Sequence, residues 1–469
     1  RSMGKYNPVD AAVVAELKQI AGDRNVWLDR EKMEDYSHDA VTGEKYVRFP
    51  EAVVFPETTE QVAEIVKLAN RRLIPIIPRG AGTGYACAAV AFGGGIVLST
   101  ERMTRFVEFD ETNMTLIVEP GVRTIDVQKF ATEKGYLYPG EPSSSDSSCI
   151  GGNVATNAGG MKAIKYGTTR QQVLGLEVVT PEGEVTTLGG KLKKDSTGYC
   201  LTQLMVGSEG TLGIITKVYI KLAPKPAHVI DLLAVFANPE DAINIVAKIM
   251  QSPVSPVCVE FMDNKGIRCS EEFLNEKLPH SDKGHYIIVS LAGDNEEVLE
   301  DQCVMIDELC TANGALEVLV ADPAKIWKSR KSFGEANRAR SLIFSAEDTV
   351  VPMSRIPDVV QKLSELGIKY GVTVHIAAHA ADGNIHADIL KEDMPLELWN
   401  ERLPLLQDEL YAFIYSVGGK LSGEHGIGYK RLDLMKKYCD PVELKMMKAI
   451  KKALDPNEIM NPGKIFSLD

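Results

Sequence analysis

Three glycine-rich loops in the first half of the chain constrain its fold more than any other feature. They are PRGAGTG, residues 78 to 84, PGEPSSSDSSCIGGNVATNAGG, residues 139 to 160, and GSEGTLGIIT, residues 207 to 216. Small residues let a backbone approach a ligand closely, and its N–H groups can then satisfy phosphate oxygens. One such loop is most often an ordinary turn. Three of them within one domain favour a cradle for an extended cofactor.

The loops do not match the two commonest nucleotide-binding patterns. In the first loop, Tyr85 stands where a dinucleotide fingerprint needs its third glycine, and the following ACAAVAFGGG is not a helix start. The lysine and hydroxyl residue of a P-loop follow none of the three loops. The cradle is therefore neither a Rossmann turn nor a P-loop.

A proline-rich break, APKPAH at residues 223 to 228, is the best domain boundary in this chain of 469 residues, which is too long for one core. Before it, residues 58 to 72 predict a helix with a Thr58–Gln61 capping box, and LIPIIP, MTLIVEPGV and LGLEVVTPEGEVTTL predict strands. After it, DLLAVFA and HYIIVSLAG predict strands, and PEDAINIVAKIMQ predicts a helix. Helices are predicted from about residue 401. The fold class is α+β.

Composition excludes several classes of function. A formal charge of −13 argues against a nucleic-acid surface, and no run of eighteen apolar residues predicts a membrane span. The start, RSMGKYNPVD, lacks the basic and apolar regions of a signal peptide. Eight cysteines without a CxxC pair indicate reduced thiols rather than a zinc ribbon or an iron–sulfur cluster. We therefore expect a cytoplasmic protein.

HAADGNIH, residues 379 to 386, places two histidines seven residues apart around a turn sequence. The strand-like flanks of Asp-Gly-Asn predict a hairpin, across which His379 and His386 meet. GEHGIG, residues 423 to 428, adds the carboxylate of Glu424. Two imidazoles and one carboxylate suit zinc, iron or manganese with open positions. Buried, hydrogen-bonded histidines without a metal are the alternative. For His375, which alternates with strand residues, we expect a role in the core or as a support for the ligands.

The ordered set of the three loops, with YGTTRQQVLGLEVV between the second and the third, resembles the FAD domain of the vanillyl-alcohol-oxidase superfamily. Over nearly the whole chain the likeness is to the 2-hydroxyacid branch, the glycolate oxidase D-type subunits and D-lactate dehydrogenases. The resemblance implies an FAD-binding domain of two subdomains at residues 1–222. It also implies a substrate or cap domain with the metal-binding hairpin at 223–420, and a C-terminal segment, 421–469, that returns to the FAD domain.

The same resemblance implies the FAD contacts. The residues expected to wrap the pyrophosphate are Arg79, Gly80, Ala81, Gly82 and Thr83. Those expected along the isoalloxazine and ribityl regions are Pro142, Ser143, Ser144, Ser145, Gly151, Asn153, Thr156 and Gly159. Glu209 and Ile214 fall at the adenine end. The first loop holds no histidine, so we expect non-covalent FAD, with Cys149 as the candidate for a covalent bond otherwise.

The resemblance also implies the chemistry. It makes His379, His386 and Glu424 the ligands of a divalent metal and His425 the base, and it matches Arg330 of WKSRKSF to an arginine that binds the substrate carboxylate. In the reaction that we expect, D-lactate becomes pyruvate, the C2 hydride passes to flavin N5 and the histidine takes the hydroxyl proton. Ala381 stands where the family usually has glycine, which leaves every candidate ligand in place.

Several alternatives stay open at this point. The resemblance implies that family members acting on 2-hydroxy diacids carry further cationic or polar groups after the arginine. SLIFSAEDTVVP, residues 341 to 352, contains no lysine, which favours a small monoacid such as lactate or glycolate. Glycolate and D-2-hydroxyglutarate are the alternatives to lactate. A flavin-free metallohydrolase and an electron-carrying subunit without substrate chemistry are the other classes. The resemblance points to an electron-transferring flavoprotein as the partner that receives the electrons. A homo-oligomer is compatible with the sequence.

Overall fold

The computed structural model describes residues 3–468 and has the α+β composition that the sequence predicts. Arg1, Ser2 and Asp469, at the outer ends of the predicted domains, lie outside the described residues. The strands are β1 (Val26–Trp27), β2 (Ala52–Val54), β3 (Ile76–Arg79), β4 (Ile96–Ser99), β5 (Phe106–Asp110), β6 (Thr115–Val118), β7 (Tyr136–Leu137), β8 (Val173–Val179), β9 (Val185–Gly189), β10 (Ile214–Lys221), β11 (Ala223–Pro224), β12 (His228–Phe236), β13 (Cys258–Met262), β14 (His285–Gly293), β15 (Ala315–Val320), β16 (Phe344–Val350), β17 (Thr373–His379) and β18 (Asn384–Leu390).

The helices connect these strands and cover the sheets. They are α1 (Ala11–Ala21), α2 (Thr59–Arg72), α3 (Thr124–Glu133), α4 (Ile150–Thr156), α5 (Ala163–Tyr166), α6 (Thr169–Gln172), α7 (Leu201–Met205), α8 (Pro239–Gln251), α9 (Asn264–Leu274), α10 (Glu296–Thr311), α11 (Pro323–Lys331), α12 (Phe333–Arg340), α13 (Ile356–Tyr370), α14 (Leu396–Ser416), α15 (Leu432–Tyr438) and α16 (Pro441–Leu454). Within residues 3–468, none of them is both long enough and apolar enough to cross a bilayer.

The chain divides into two compact units. The first unit takes the chain up to Gly159, Gly167–Lys225 and the chain from Glu424 onward, and the second takes Gly160–Tyr166 and Pro226–Gly423. The short segment Gly160–Tyr166 belongs to the second unit because Met161 packs in a small apolar cluster with residues of that unit. Gly160, the last residue of the second glycine loop, therefore belongs to the second unit, although it lies within the range 1–222 expected for the FAD-binding domain.

The first unit contains two main sheets. In the four-stranded sheet β1-β2-β4-β3, the last three strands are parallel and β1 is antiparallel to β2, while the five-stranded sheet β5-β6-β10-β8-β9 is antiparallel throughout. Helix α2 lies where the sequence predicts it, with the Thr58 side chain accepting from Gln61 N. The Gln61 side chain accepts from Glu57 N, one residue before the cap, so the expected capping box closes one residue early.

The second unit is built on a seven-stranded antiparallel sheet in the order β15-β12-β14-β13-β17-β18-β16. Strands β17 and β18 form the predicted hairpin, with His379 opposite Asn384 across the turn. Apolar residues of β12, β13 and β14 form a core with residues of α9, α11 and α12, including Ile288, Ile326 and Phe333. This packing supports the sheet face that carries the hairpin histidines.

The tip of the hairpin depends on Gly383. This residue has φ of +81°, and a Cβ built there would collide with the carbonyl oxygen of Val351. Gly371, in the same unit, has φ of +66°, but a Cβ there would meet only the end of the Arg402 side chain at 3.1 Å. The two glycines therefore share a left-handed backbone and differ in the space around it.

We predict that Gly383→Ala destabilises the protein more than Gly371→Ala. The shared left-handed conformation costs an alanine about 1–2 kcal/mol, and overpacking against Val351 adds about 1–3 kcal/mol at position 383 alone. Thermal unfolding followed by circular dichroism measures both variants against the wild type. Equal losses of stability in the two variants would show that the backbone near Val351 yields freely.

Candidate active site

A long hollow in the first unit is formed by the three glycine loops. Its empty volume is about 1310 Å³, with the open space at its mouth included. The first loop follows β3 directly, and α4 begins inside the second loop at Ile150. Two of the loops are thus fixed at the ends of regular elements, which keeps their backbones in place.

All of the FAD residues expected from the sequence line this hollow, except Ser145. Ser145 is buried, and its carbonyl oxygen accepts from Ile125 N at 3.0 Å, so it supports the loop from behind. The hollow also takes in two residues from the C-terminal part of the first unit, Glu424 and His425. The structure therefore brings the expected base into the expected cofactor cradle.

The Arg79 side chain shapes the first loop from within. Its guanidinium is buried and donates to the carbonyl oxygens of Asp35 at 2.8 Å and His38 at 2.9 Å. Gly82 has φ of +69°, and a Cβ there would collide with this guanidinium. The terminal nitrogens of Arg79 are thus engaged with carbonyl groups of the protein itself, and the side chain supports the loop from within.

The segment that follows His425 is held by Glu209. The Glu209 carboxylate accepts from Gly428 N at 2.8 Å and from Ile427 N at 3.3 Å, and burial raises the pKa of this carboxyl group to about 7. The His425 ring stacks on Tyr85, with 5.1 Å between the ring centroids. Glu209, which the resemblance assigns to the adenine end, thus also positions the chain that carries the expected base.

A second set of polar side chains lies on one face of the seven-stranded sheet in the second unit. The rings of His379 and His386 meet edge to face with centroids 5.1 Å apart. His379 Nδ1 lies 2.7 Å and 3.0 Å from the two carboxylate oxygens of Glu260, a fully buried residue directly opposite it on β13. A hydrogen bond from Nδ1 leaves the lone pair on Nε2, which is the form that can bind a metal.

His386 has an acidic neighbour of its own. Asp348 pairs with it across β16 and β18, and its carboxylate lies 3.9 Å from His386 Nδ1. Asn384 Nδ2 donates to the same carboxylate at 2.7 Å, and Gly423 N donates to the Asp348 carbonyl oxygen at 3.1 Å. Since Glu424 is the next residue after Gly423, the third expected ligand follows directly from an anchored position.

Arg330 lies near the first of these histidines. Its side chain is 6% exposed, and Nη2 lies 3.8 Å from a Glu260 oxygen. Within residues 3–468, no hydrogen-bond acceptor reaches its buried Nε. A buried donor without a partner costs free energy, and an incoming carboxylate would supply the missing acceptor.

His375 has the core role expected of it. It is buried, and its Nδ1 lies 2.7 Å from Asn337 Oδ1. Burial lowers the pKa of this histidine to about 4. The side chain is therefore neutral at physiological pH and belongs to the packing of the sheet.

The comparisons with known proteins agree with the cradle. Residues 50–189 match the FAD binding domain, and residues 225–465 match the C-terminal domain of FAD linked oxidases. The chain is 37% identical to a D-lactate dehydrogenase of Anaerostipes hadrus, covering 98% of each chain. It is 35% identical to glycolate oxidase subunit GlcD of Bacillus subtilis (strain 168), covering 97% of each. A crystal structure of p-cresol methylhydroxylase with substrate bound aligns with a TM-score of 0.82 at 21% identity, over 97% of this chain and 96% of that chain.

An FAD binding domain followed by this C-terminal domain defines a flavoprotein oxidoreductase. The chain belongs to the family of FAD-linked oxidases, and its fold is that of the vanillyl-alcohol-oxidase superfamily. Membership in this family removes the flavin-free metallohydrolase from the alternatives.

Gly152 offers a test of the cradle. It lines the hollow on α4, and a Cβ there would meet no atom within 4 Å, whereas a Cβ on the neighbouring Gly151 would lie 2.5 Å from Pro120 Cβ. We predict that Gly152→Leu folds normally but loses FAD, because its side chain enters the space of the cofactor. Gly152→Ala is the matched control and should keep most of its FAD. Flavin absorbance and thermal unfolding give the two readouts. Full FAD content in Gly152→Leu would mean that FAD does not pass this point.

Proposed function

We propose that this protein is an FAD- and divalent-metal-dependent D-2-hydroxyacid dehydrogenase that converts D-lactate to pyruvate. The observation that carries the proposal is the position of His425, which lines the same hollow as the FAD-binding loops. The names of two relatives, a D-lactate dehydrogenase and a glycolate oxidase subunit, support a small 2-hydroxy acid as the substrate. Glycolate and D-2-hydroxyglutarate are the alternative substrates.

His425 acts as the base in this proposal. Bound FAD would supply the acceptor, its N5 atom, for the hydride from C2 of the substrate. His425 takes the hydroxyl proton, and stacking on Tyr85 with the Glu209 support of the following residues holds its ring in place. His425 thus lines the hollow proposed for FAD, where it can take the hydroxyl proton as the substrate is oxidised.

Non-covalent FAD fits the chemistry of the cradle. Cys149 lines the hollow, but burial raises the pKa of its thiol to about 11. A reactive cysteine is usually a thiolate in an electropositive, partly exposed place. The side chain therefore supports dissociable FAD rather than a covalent bond to this sulfur.

The metal in this proposal is held by His379, His386 and Glu424, with zinc, iron or manganese as the candidates. The donor set fits a divalent ion, because two imidazoles meet on one sheet face and Glu260 orients one of them through Nδ1. A bound metal would supply a Lewis acid that lowers the pKa of the substrate hydroxyl. Arg330, with its unpaired donor, binds the substrate carboxylate.

Electrons leave the reduced enzyme through a partner in this proposal. The family resemblance favours an electron-transferring flavoprotein as the acceptor. Reduction of that flavoprotein by the enzyme and D-lactate together would support this step. A chain that takes electrons from the flavoprotein but from no hydroxy acid would instead be an electron-carrying subunit.

The proposed base can be tested by anaerobic flavin bleaching. The wild type should bleach with D-lactate, and His425→Ala should bleach slower by on the order of a hundredfold, as is usual for loss of a general base. The control is His280→Ala, because His280 pairs with Glu317 at 2.6 Å on the second unit and has no place in the proposed chemistry. A flavin that stays oxidised with D-lactate, glycolate and D-2-hydroxyglutarate alike would refute the proposed function.

The role of Arg330 predicts a change in KM. Arg330→Lys keeps the charge but loses the planar fork, so KM for D-lactate should rise roughly tenfold to a hundredfold, as expected for loss of a hydrogen bond to a charged group. Lys328→Met, on the same helix, is the matched control, since its partly exposed side chain pairs with Glu276. Steady-state kinetics measure both variants. An unchanged KM in Arg330→Lys would exclude Arg330 from carboxylate binding.

A further inference from the structure

We propose that Glu260 is the positioning residue of this site, because one buried carboxylate holds both a metal-ligating histidine and the substrate-binding arginine. The proposal rests on the roles given above to His379 and Arg330. Glu260 itself contacts neither substrate nor metal in this proposal, and it acts through its two neighbours.

The geometry places Glu260 between the two groups. Its Oε1 lies 2.7 Å from His379 Nδ1 and 3.8 Å from Arg330 Nη2. Strand β13 is in the middle of the sheet, and Glu260 lies directly opposite His379 in the antiparallel register. The Glu260 carboxylate reaches the His379 imidazole from the neighbouring strand. It also lies near the guanidinium of Arg330, a residue of α11.

Burying the charge of Glu260 costs free energy that a purely structural residue would not need to offset. The Glu260 side chain is 0% exposed, and a charge removed from water needs a partner of opposite sign and hydrogen bonds. Arg330 provides the charge and the His379 imidazole provides the donor. Two apolar residues would fill the same space at lower cost, so the charges indicate a role in the site.

Two effects follow from the position of this carboxylate. Acceptance from Nδ1 fixes the His379 tautomer that presents Nε2 to a metal and raises the basicity of that nitrogen. The attraction of Arg330 for the same carboxylate limits the rotamers of the arginine while leaving its Nε for an incoming group. One residue thereby sets the distance between the two groups that would bind a hydroxy acid at its two ends.

Mn²⁺ binding by the flavin-containing protein, stripped of metal with a chelator, tests the proposal without turnover. Free Mn²⁺ is followed by electron paramagnetic resonance, which the flavin absorbance does not disturb. We expect Glu260→Gln to weaken Mn²⁺ binding roughly tenfold to a hundredfold, as is typical when the partner of a ligating histidine is lost. In a His379→Ala background, Glu260→Gln should add little, because Glu260 acts through that histidine.

Glu347→Gln is the matched control. Glu347 is a buried glutamate of β16 next to Asp348, so its side chain points to the opposite face of the same sheet. It accepts from Gln407 Nε2 at 2.7 Å and from Ser345 Oγ at 2.7 Å. This variant also neutralises a buried carboxylate, and its Mn²⁺ affinity should equal that of the wild type.

The outcomes separate this inference from the proposed function. A wild type that binds Mn²⁺ but is not reduced by any hydroxy acid would overturn the proposed function alone. Wild-type Mn²⁺ affinity in Glu260→Gln would overturn the role of Glu260 alone, as would an equal loss in Glu347→Gln. If Glu260→Gln does not fold, Glu260→Gln with Arg330→Gln removes both charges of the pair, and the same loss of Mn²⁺ affinity is expected.

Discussion

The register of four neighbouring strands is the constraint on which the polar cluster of the second unit depends. Strands β13, β17, β18 and β16 lie side by side, and their pairing puts Glu260, His379, His386 and Asp348 on one face of the sheet. Because side chains alternate between faces, a slip of one residue would send a whole strand's polar groups to the opposite side. The apolar core against α9, α11 and α12 opposes such a slip.

The local sequence pattern was sufficient to predict the two strands that carry the histidines and one helix of the first unit. The turn chemistry of Asp-Gly-Asn and its strand-like flanks predicted the β17–β18 hairpin, and the stripe on α2 predicted a helix whose apolar side is buried. Strand β13 and helix α9 were missed. CVEFM is a short apolar run that holds one glutamate, and such a run has no periodicity that separates a buried strand from a loop. The role of its glutamate, Glu260, becomes apparent only from the contact with His379, which lies 119 residues further along the chain.

The cofactor cradle was predictable as a set of loops, but not in its side-chain detail. Glycine marks where the backbone needs positive φ or a close approach, and Gly82 shows both. What it approaches, the Arg79 guanidinium, is held by carbonyl groups of Asp35 and His38 in an irregular segment. No residue type in that segment identifies a carbonyl acceptor, because every residue has one. The same limit applies to Glu209, whose two donors are backbone N–H groups more than 200 residues away.

In the short segment Gly-Glu-His-Gly, residues 423 to 426, a separate contact constrains each of the two glycines. A Cβ at Gly423 would collide with the Asn384 side chain, which is itself bonded to Asp348. A Cβ at Gly426, where φ is +85°, would lie 2.7 Å from a Glu209 oxygen. The first contact belongs to the sheet of the second unit and the second to the cradle of the first. Only two residues, the proposed ligand and the proposed base, lie between these glycines. A side chain at either glycine would therefore disturb a contact next to one of these two residues.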